Sequence, residues 1–282
     1  MSTATITAAE INKLRQTTGA GMMDCRKALV ESDGDFEKAI DYLRKKGQKV
    51  AALRSDREAK EGVIIATTTA DNKTGFIVTV ACETDFVAKN ADFVAFARSI
   101  AAVAVKNDIK TLEELLAAQL DGATIADKIN DQVARISEKI QLARFERIDA
   151  EGVSAYIHGA YRMGVLVGLS SNKPAVLEAG RDIAMQIAAM NPVAVDPDSV
   201  PADVVAREKA IVTEQIKNDP KMAGKPDEMI DKIAAGKLNA FFKENTLTAQ
   251  AFVKDASKTV GDYLKSVDSS AKVTQFKRIQ LG

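Results

Sequence analysis

The chain has 282 residues, 39 basic against 39 acidic, with one histidine and two cysteines. That length suits about two domains with real cores, and a formal net charge of zero leaves no global field to hold a polyanion or an anionic membrane. Cys25 and Cys82 lack CxxC spacing, which excludes a disulfide framework or zinc site, and a lone His158 excludes a multi-histidine metal centre and handicaps nucleophilic catalysis. Met1 to Glu10 shows neither a basic n-region nor an apolar h-region, and no apolar run approaches the roughly 18 residues of a bilayer span. With thiols fitting a reducing compartment, the expectation is a cytoplasmic protein with no membrane partner.

Residues 6 to 47 read as three short helices. The first carries Ile6, Ile11 and Leu14 and stops at Thr18-Gly19-Ala20-Gly21, where glycine tolerates helix-ending angles. The second is expected to start near Asp24 as N-cap and to bury Cys25, Ala28 and Leu29. The third places Phe36, Ile40 and Leu43 on one face, with Gly47 as its expected stop. Residues 1–50 are thus a three-helix docking module whose core is marginal by size. Residues 51–60 are then a basic linker. From Arg44 to Lys60, basic residues face only Asp56 and Glu58, which predicts a solvated segment with mobility, or alternatively an RNA-contact arm.

Beyond it an internal repeat emerges. Glu61-Gly62-Val63 returns as Glu151-Gly152-Val153, Gly75 with its apolar run as Gly164, and Ile100-Ala101-Ala102 as Ile187-Ala188-Ala189, a period of roughly ninety residues. Each copy reads as strand, strand (Phe76 to Ala81; Val165 to Leu169) and Ala-rich helix (Asp92 to Val105; Ala175 to Met190). The fold class is therefore α+β, with related subdomains over 61–149 and 150–282. Leu112 to Ile148 reads as almost wholly helical. Ala202 to Lys217 and Asp227 to Glu244 form an antiparallel helical hairpin inserted over 202–246, with turns at Asn218-Asp219-Pro220 and Gly224-Lys225-Pro226. It is either a structural arm or a dimerisation or partner arm. Residues 260 to 281 add a helix and a closing strand, Lys272 to Gln280.

Catalytic motifs are sparse. Gly19-Ala20-Gly21 lacks the third glycine and the preceding strand of a dinucleotide loop, and there is no GxxxxGK[ST], so no nucleotide binds the chain directly. His158, beside Gly159 at a turn, has no spaced nucleophile and reads as a structural or partner-contact residue. Adjacent Met22 and Met23 cannot both face one core, and methionine suits binding surfaces. Phe86 sits on a strand-to-helix corner, Cys82-Glu83-Thr84-Asp85-Phe86-Val87, as an exposed hot spot or as a staple to the core. An enzyme using Asp85 and Glu83 as acid and base is the rival from another class, and it requires a raised carboxylate pKa.

Leu14-Arg15 and the run Thr18 to Leu29, together with Thr84-Asp85-Phe86-Val87-Ala88-Lys89, resemble the two signatures of the translation elongation factor Ts family, and the resemblance extends over nearly the whole chain. The first module also resembles a ubiquitin-associated domain in shape. The resemblance implies a non-enzymatic guanine-nucleotide exchange factor whose partner is the GTPase elongation factor Tu. It implies that the module docks through Arg15, Gly19, Gly21, Met22, Met23, Asp24 and Lys27, and that Thr84, Asp85, Phe86 and Val87 enter near the nucleotide and dislodge its magnesium ion. His158 and Gly159 would form a second contact. No cofactor, metal or nucleic acid is implied for the chain itself, and the hairpin offers a route to a homodimer or a 2:2 assembly. The sequence departs from the family at Ala81, where members commonly carry Asn, at Ser137, commonly Gly, and in a longer loop, Ala160 to Gly164. It also lacks the extra C-terminal helix of some members.

Overall fold

The computed structural model describes residues 6–54, 56–219 and 226–282. The chain opens with α1 (Ala8–Thr18), α2 (Met22–Glu31) and α3 (Phe36–Leu53). A Thr7–Glu10 capping box starts α1, and Gly19, at φ 68°, ends it in the left-handed region. The N-cap of α2 is Gly21 rather than Asp24: the Asp24 carboxylate lies in the first turn, where the helix dipole favours it, and pairs with Lys46. Leu14, Cys25, Ala28, Leu29, Ala39 and Leu43 form the core of this module.

A first sheet follows. It contains β1 (Glu61–Thr68) and β2 (Thr74–Cys82), then α4 (Asp85–Ala88), α5 (Ala91–Lys106), α6 (Leu112–Ala117), the small hairpin β3 (Gln119–Leu120) and β4 (Ala123–Thr124), α7 (Ile125–Ile136) and β5 (Gln141–Asp149). Its order is β1-β2-β5, antiparallel throughout. The second sheet contains β6 (Gly152–His158) and β7 (Met163–Leu169), followed by α8 (Pro174–Met190), α9 (Ala202–Lys217), α10 (Asp227–Asn245), β8 (Ala251–Phe252), β9 (Asp255–Thr259), α11 (Val260–Val267) and β10 (Val273–Gln280). Its order is β10-β7-β6. The molecule is thus mixed α and β with a helical N-terminal region. Among the described residues no helix is long and apolar enough to cross a membrane.

Two expectations are corrected here. Leu112 to Ile148 is not wholly helical, because Gln141–Asp149 becomes a strand on the open edge of β2, where unpaired backbone groups require partners. A bulge at Thr79/Val80 shifts that register and blurs the two-residue period in sequence. Gly47 does not stop α3. A β-carbon there would lie 3.0 Å from both Ala134 Cβ and Asn130 O, so glycine lets α3 press against α7 while the helix continues to Leu53. Beyond it, Arg54 and Arg57 both pair with Glu83.

Alternation along the central strands sorts their side chains between two layers. Phe76, Val78, Val80 and Cys82 of β2 face Phe93, Ala97 and Ile100 of α5. Val165, Val167 and Leu169 of β7 face Ile183 and Ile187 of α8. The opposite faces, with Ile64, Ile77, Ile148, Val153, Leu166 and Ile279, pack sheet against sheet. This α-β-β-α sandwich explains why both central strands are apolar along their whole length. α9 and α10 pack through Val212, Ile216 and Ala234. Their connection, residues 220–225, includes the expected turn residues Pro220, Gly224 and Lys225 and lies outside the described residues. The hairpin is rooted where Val193 N–H donates to Asn245 O and Leu247 N–H to Ala194 O.

The two sheets meet closely at glycine. A β-carbon on Gly75 would stand 2.6 Å from Val153 Cγ1 and 2.9 Å from Leu166 Cδ2, and one on Gly164 would stand 2.6 Å from Ile64 Cγ2. Gly75→Val and Gly164→Val are each expected to destabilise the fold by about 1–3 kcal/mol, measured by thermal unfolding. Gly236→Ala, in open space on α10, should instead leave stability unchanged or raise it by up to about 1 kcal/mol.

Candidate partner-binding surface

The corner after β2 is built by two caps in quick succession. Thr84 caps α4, its hydroxyl oxygen accepting from Val87 N–H at 3.5 Å, and Asn90 caps α5, accepting from Asp92 N–H at 2.8 Å. A single helical turn is therefore pinched between strand and helix. Val87 and Ala88 turn inward onto the first core, while Phe86 is 84 % exposed. The stapling role considered for Phe86 thus belongs to Val87 and Ala88. Beside the corner lies a hollow of about 380 Å³ lined by Phe86, Val87, Asn90, Phe93, Arg135 and Ile136. Asp85 is tied to Lys89 one turn later at 2.6 Å.

The N-terminal module presents a second apolar exposure. Met22 is 51 % and Met23 72 % exposed, and Val30 joins them at 55 %. Met23, Lys27 and Val30 follow the i, i+4, i+7 spacing of one helix face, opposite buried Cys25, Ala28 and Leu29. Val30 was not singled out from the sequence, although its place off the buried face was a usable signal. Arg15 and Lys27 are exposed, whereas Asp24 is engaged by Lys46. Gly19 needs its left-handed angle and also makes room for Arg135, whose Cδ would lie 3.0 Å from a β-carbon there. Gly21 has φ −61°, and a β-carbon there would meet only Asp24 Oδ2 at 3.9 Å, an ordinary contact, so nothing within the chain demands glycine at that position.

Arg135 brings these regions together. It packs under Gly19 and also lines the hollow beside Phe86, so the module and the corner border one face. His158 and Gly159 stand elsewhere, at the end of the β6–β7 hairpin. His158 Nδ1 lies 2.9 Å from Tyr156 Oη, and Gly159, Ala160 and Tyr161 have φ of 62°, 52° and 71°. Tyr161 holds this loop against the first sheet: its carbonyl accepts Ile64 N–H at 2.8 Å, and its hydroxyl accepts from Arg98 Nη2 at 2.8 Å. Asn90 and Arg98 both belong to the α5 segment, about 12 Å apart along its axis, so one helix indexes the His158 loop to the corner.

The charges around the corner are paired. Burial pushes the Glu83 carboxyl up, but hydrogen bonds from Lys139 N–H, Arg57 and Arg54 outweigh it and hold the pKa below the ordinary range. Lys89 likewise lowers Asp85. Neither carboxyl has the raised pKa that the acid–base reading required. Burial, with the Glu138 and Glu61 charges, pushes the Cys82 thiol up to about 12, so it stays protonated and donates to Thr84 O at 3.2 Å. Among the described residues no group of three or more His, Cys, Asp or Glu could hold a metal ion.

Two consequences are measurable. Phe86→Ala should barely move Tm, whereas Phe93→Ala, at a side chain only 2 % exposed, should cost about 3–5 kcal/mol. Because the folded pKa of Glu83 is depressed, its contribution is complete above the ordinary carboxylate range and is lost as pH falls through that range to the folded value. Hydrogen exchange of residues 52–54, 56–57 and 83–84 followed during acid titration should therefore show protection at neutral pH that fails on acidification. In Glu83→Gln that pH-dependent step should be absent.

The sequence model of the family described as Elongation factor TS matches residues 83–282. The chain is 50% identical over 279 residues to Elongation factor Ts of Flavobacterium psychrophilum, spanning 99% of this chain and 100% of that one. It is 49% identical over 280 residues to Elongation factor Ts of Cytophaga hutchinsonii, 99% of each, and 43% identical over 279 residues to that of Alkalilimnicola ehrlichii, 98% of this chain and 92% of the relative. The match thus runs through the N-terminal module as well as the corner and both sheets, and the chain belongs to the elongation factor Ts family.

Proposed function

We propose that the chain is a cytoplasmic guanine-nucleotide exchange factor for elongation factor Tu in translation elongation, acting by binding and without an enzymatic reaction of its own. The observation that carries the proposal is Phe86, a large apolar side chain 84 % exposed on a turn pinned at both ends. Such a group forgoes about 2 kcal/mol of burial within its own fold, which a partner surface can recover.

In this mechanism Met22, Met23, Lys27 and Val30 dock the N-terminal module, with Arg15 beside them and Gly19, Gly21 and Asp24 shaping the turn that carries them. The Thr84–Val87 corner then enters near the nucleotide, where Phe86 shifts the partner's elements that hold magnesium. With the cation displaced, the nucleotide phosphates lose their bridge and GDP leaves. His158 and Gly159 make a second contact that fixes the approach. Because coupling between two ligands is reciprocal, typically about 1–3 kcal/mol, incoming nucleotide weakens the factor's hold by the amount that the factor weakened GDP. Exchange is accelerated in both directions, and cellular GTP sets the net direction. The exposed Ile211 and Met229 of the hairpin helices support a homodimer or 2:2 assembly formed through that arm.

Stopped-flow release of a fluorescent GDP from the cognate elongation factor Tu tests the mechanism. The wild type should accelerate release strongly, and Phe86→Ala, still folded, should lose about tenfold or more of that acceleration, as expected for a hot-spot truncation. No acceleration by the wild type would overturn the exchange-factor reading.

A further inference from the structure

A four-residue helix does not hold its own shape, because nucleation fixes several residues for few hydrogen bonds. The turn at Asp85–Ala88 is held instead from the α7–β5 connection. Ser137 ends α7 at φ 61°, in the left-handed region that disfavours a residue bearing a β-carbon. The chain thereby delivers Glu138 to the corner, where Oε2 accepts Thr84 N–H at 3.1 Å and Oε1 accepts the Thr84 hydroxyl at 2.6 Å. The adjacent residues cross in the opposite sense, with Lys139 N–H donating to Glu83. Having donated to Glu138, the Thr84 hydroxyl keeps a lone pair for Val87 N–H, so Glu138 fixes the rotor that caps the turn.

We propose that Glu138 is the positioning residue of the corner, holding the turn so that Phe86 projects in one orientation before any partner arrives. It touches no partner in this role and acts through Thr84. The proposal rests on the exchange-factor reading for its functional consequence, and on the hydrogen bonds alone for its structural one.

Two readouts keep these apart, applied to full-length wild type, Glu138→Ala and Glu138→Gln. In the free protein, the amides of Val87, Ala88 and Lys89 should exchange hydrogen about tenfold or more faster in Glu138→Ala, as expected when charge-assisted bonds are removed. Glu138→Gln, which keeps one acceptor, should fall between, and the amides of β2 and α5 should stay protected. In fluorescent GDP release, the maximal rate should fall about tenfold in Glu138→Ala while the half-saturating concentration stays within about threefold, because the N-terminal docking surface is intact. Wild-type protection and wild-type maximal rate in Glu138→Ala would overturn the positioning role. A loss of protection spread over β2 and α5 in both variants would overturn it too, making Glu138 a residue of the general fold. If wild type fails to accelerate release, the exchange-factor reading falls and hydrogen exchange alone decides the structural role.

Discussion

The close approach of the two sheets, made possible by Gly75 and Gly164, is the constraint on which the other features depend. Each glycine receives a branched side chain from the opposite sheet, so the two central strands are covered on both faces. A one-sided sheet would have left Ile64, Ile77 and Leu166 in water, forgoing about 1.5–3 kcal/mol for each. Because β2 is clamped between α5 and the second sheet, its C-terminal end at Cys82 has a fixed direction, and the corner that follows inherits it. The β6–β7 loop is fixed by the same contact, since Tyr161 closes back on Ile64 of the outer strand.

From this frame the exposed apolar residues acquire defined relative positions. α5 starts at the corner and carries Arg98 to Tyr161. α3 continues past the three-helix module and lies on α7 through Gly47, and just beyond it Arg54 reaches Glu83 at the root of the corner. Arg135 lies between the Gly19 turn and Phe86. The three exposed regions therefore hang on rigid elements rather than on free loops, which suits a surface that must arrive preorganised. Local strain accompanies this arrangement: Ser137, Ala160 and Tyr161 all occupy left-handed backbone conformations, and all lie beside contacts that fix the corner or the loop.

Much of this was readable from residue patterns, and the misses have physical reasons. The strands following each Glu-Gly-Val stood out as short apolar runs, and the Ala-rich helices and the paired helices after Pro201 had helical periods. Adjacency of Met22 and Met23 required that at least one be exposed, and both are. By contrast, Gly47 reads as a stop when only local propensity is considered, and its real role depends on Ala134, far along the chain. β5 was hidden because its bulge breaks alternation and its partner is a distant strand. Asp24 looks like an N-cap until Gly21 opens the helix one turn earlier and frees the carboxylate for Lys46. Glu138 carried no local signal at all, since its partner Thr84 lies 54 residues away. The family signatures pointed to the corner residues, but which of them face outward and which anchor the turn emerged only from packing.

The division of labour within the corner follows from the energetics of exposure. An apolar side chain on a floppy turn would collapse onto the nearest core, here the hollow beside Phe93 and Ile136, and bury itself. Keeping Phe86 outward needs bonds that outweigh that gain, and they are present: Val87 and Ala88 occupy the inward positions, while charge-assisted hydrogen bonds, stronger than neutral ones, hold Thr84. Ordering entropy that a flexible wedge would lose at each encounter is thereby lost once, on folding. A partner surface that meets such a fixed side chain gains from this, because affinity is not diluted by unproductive orientations.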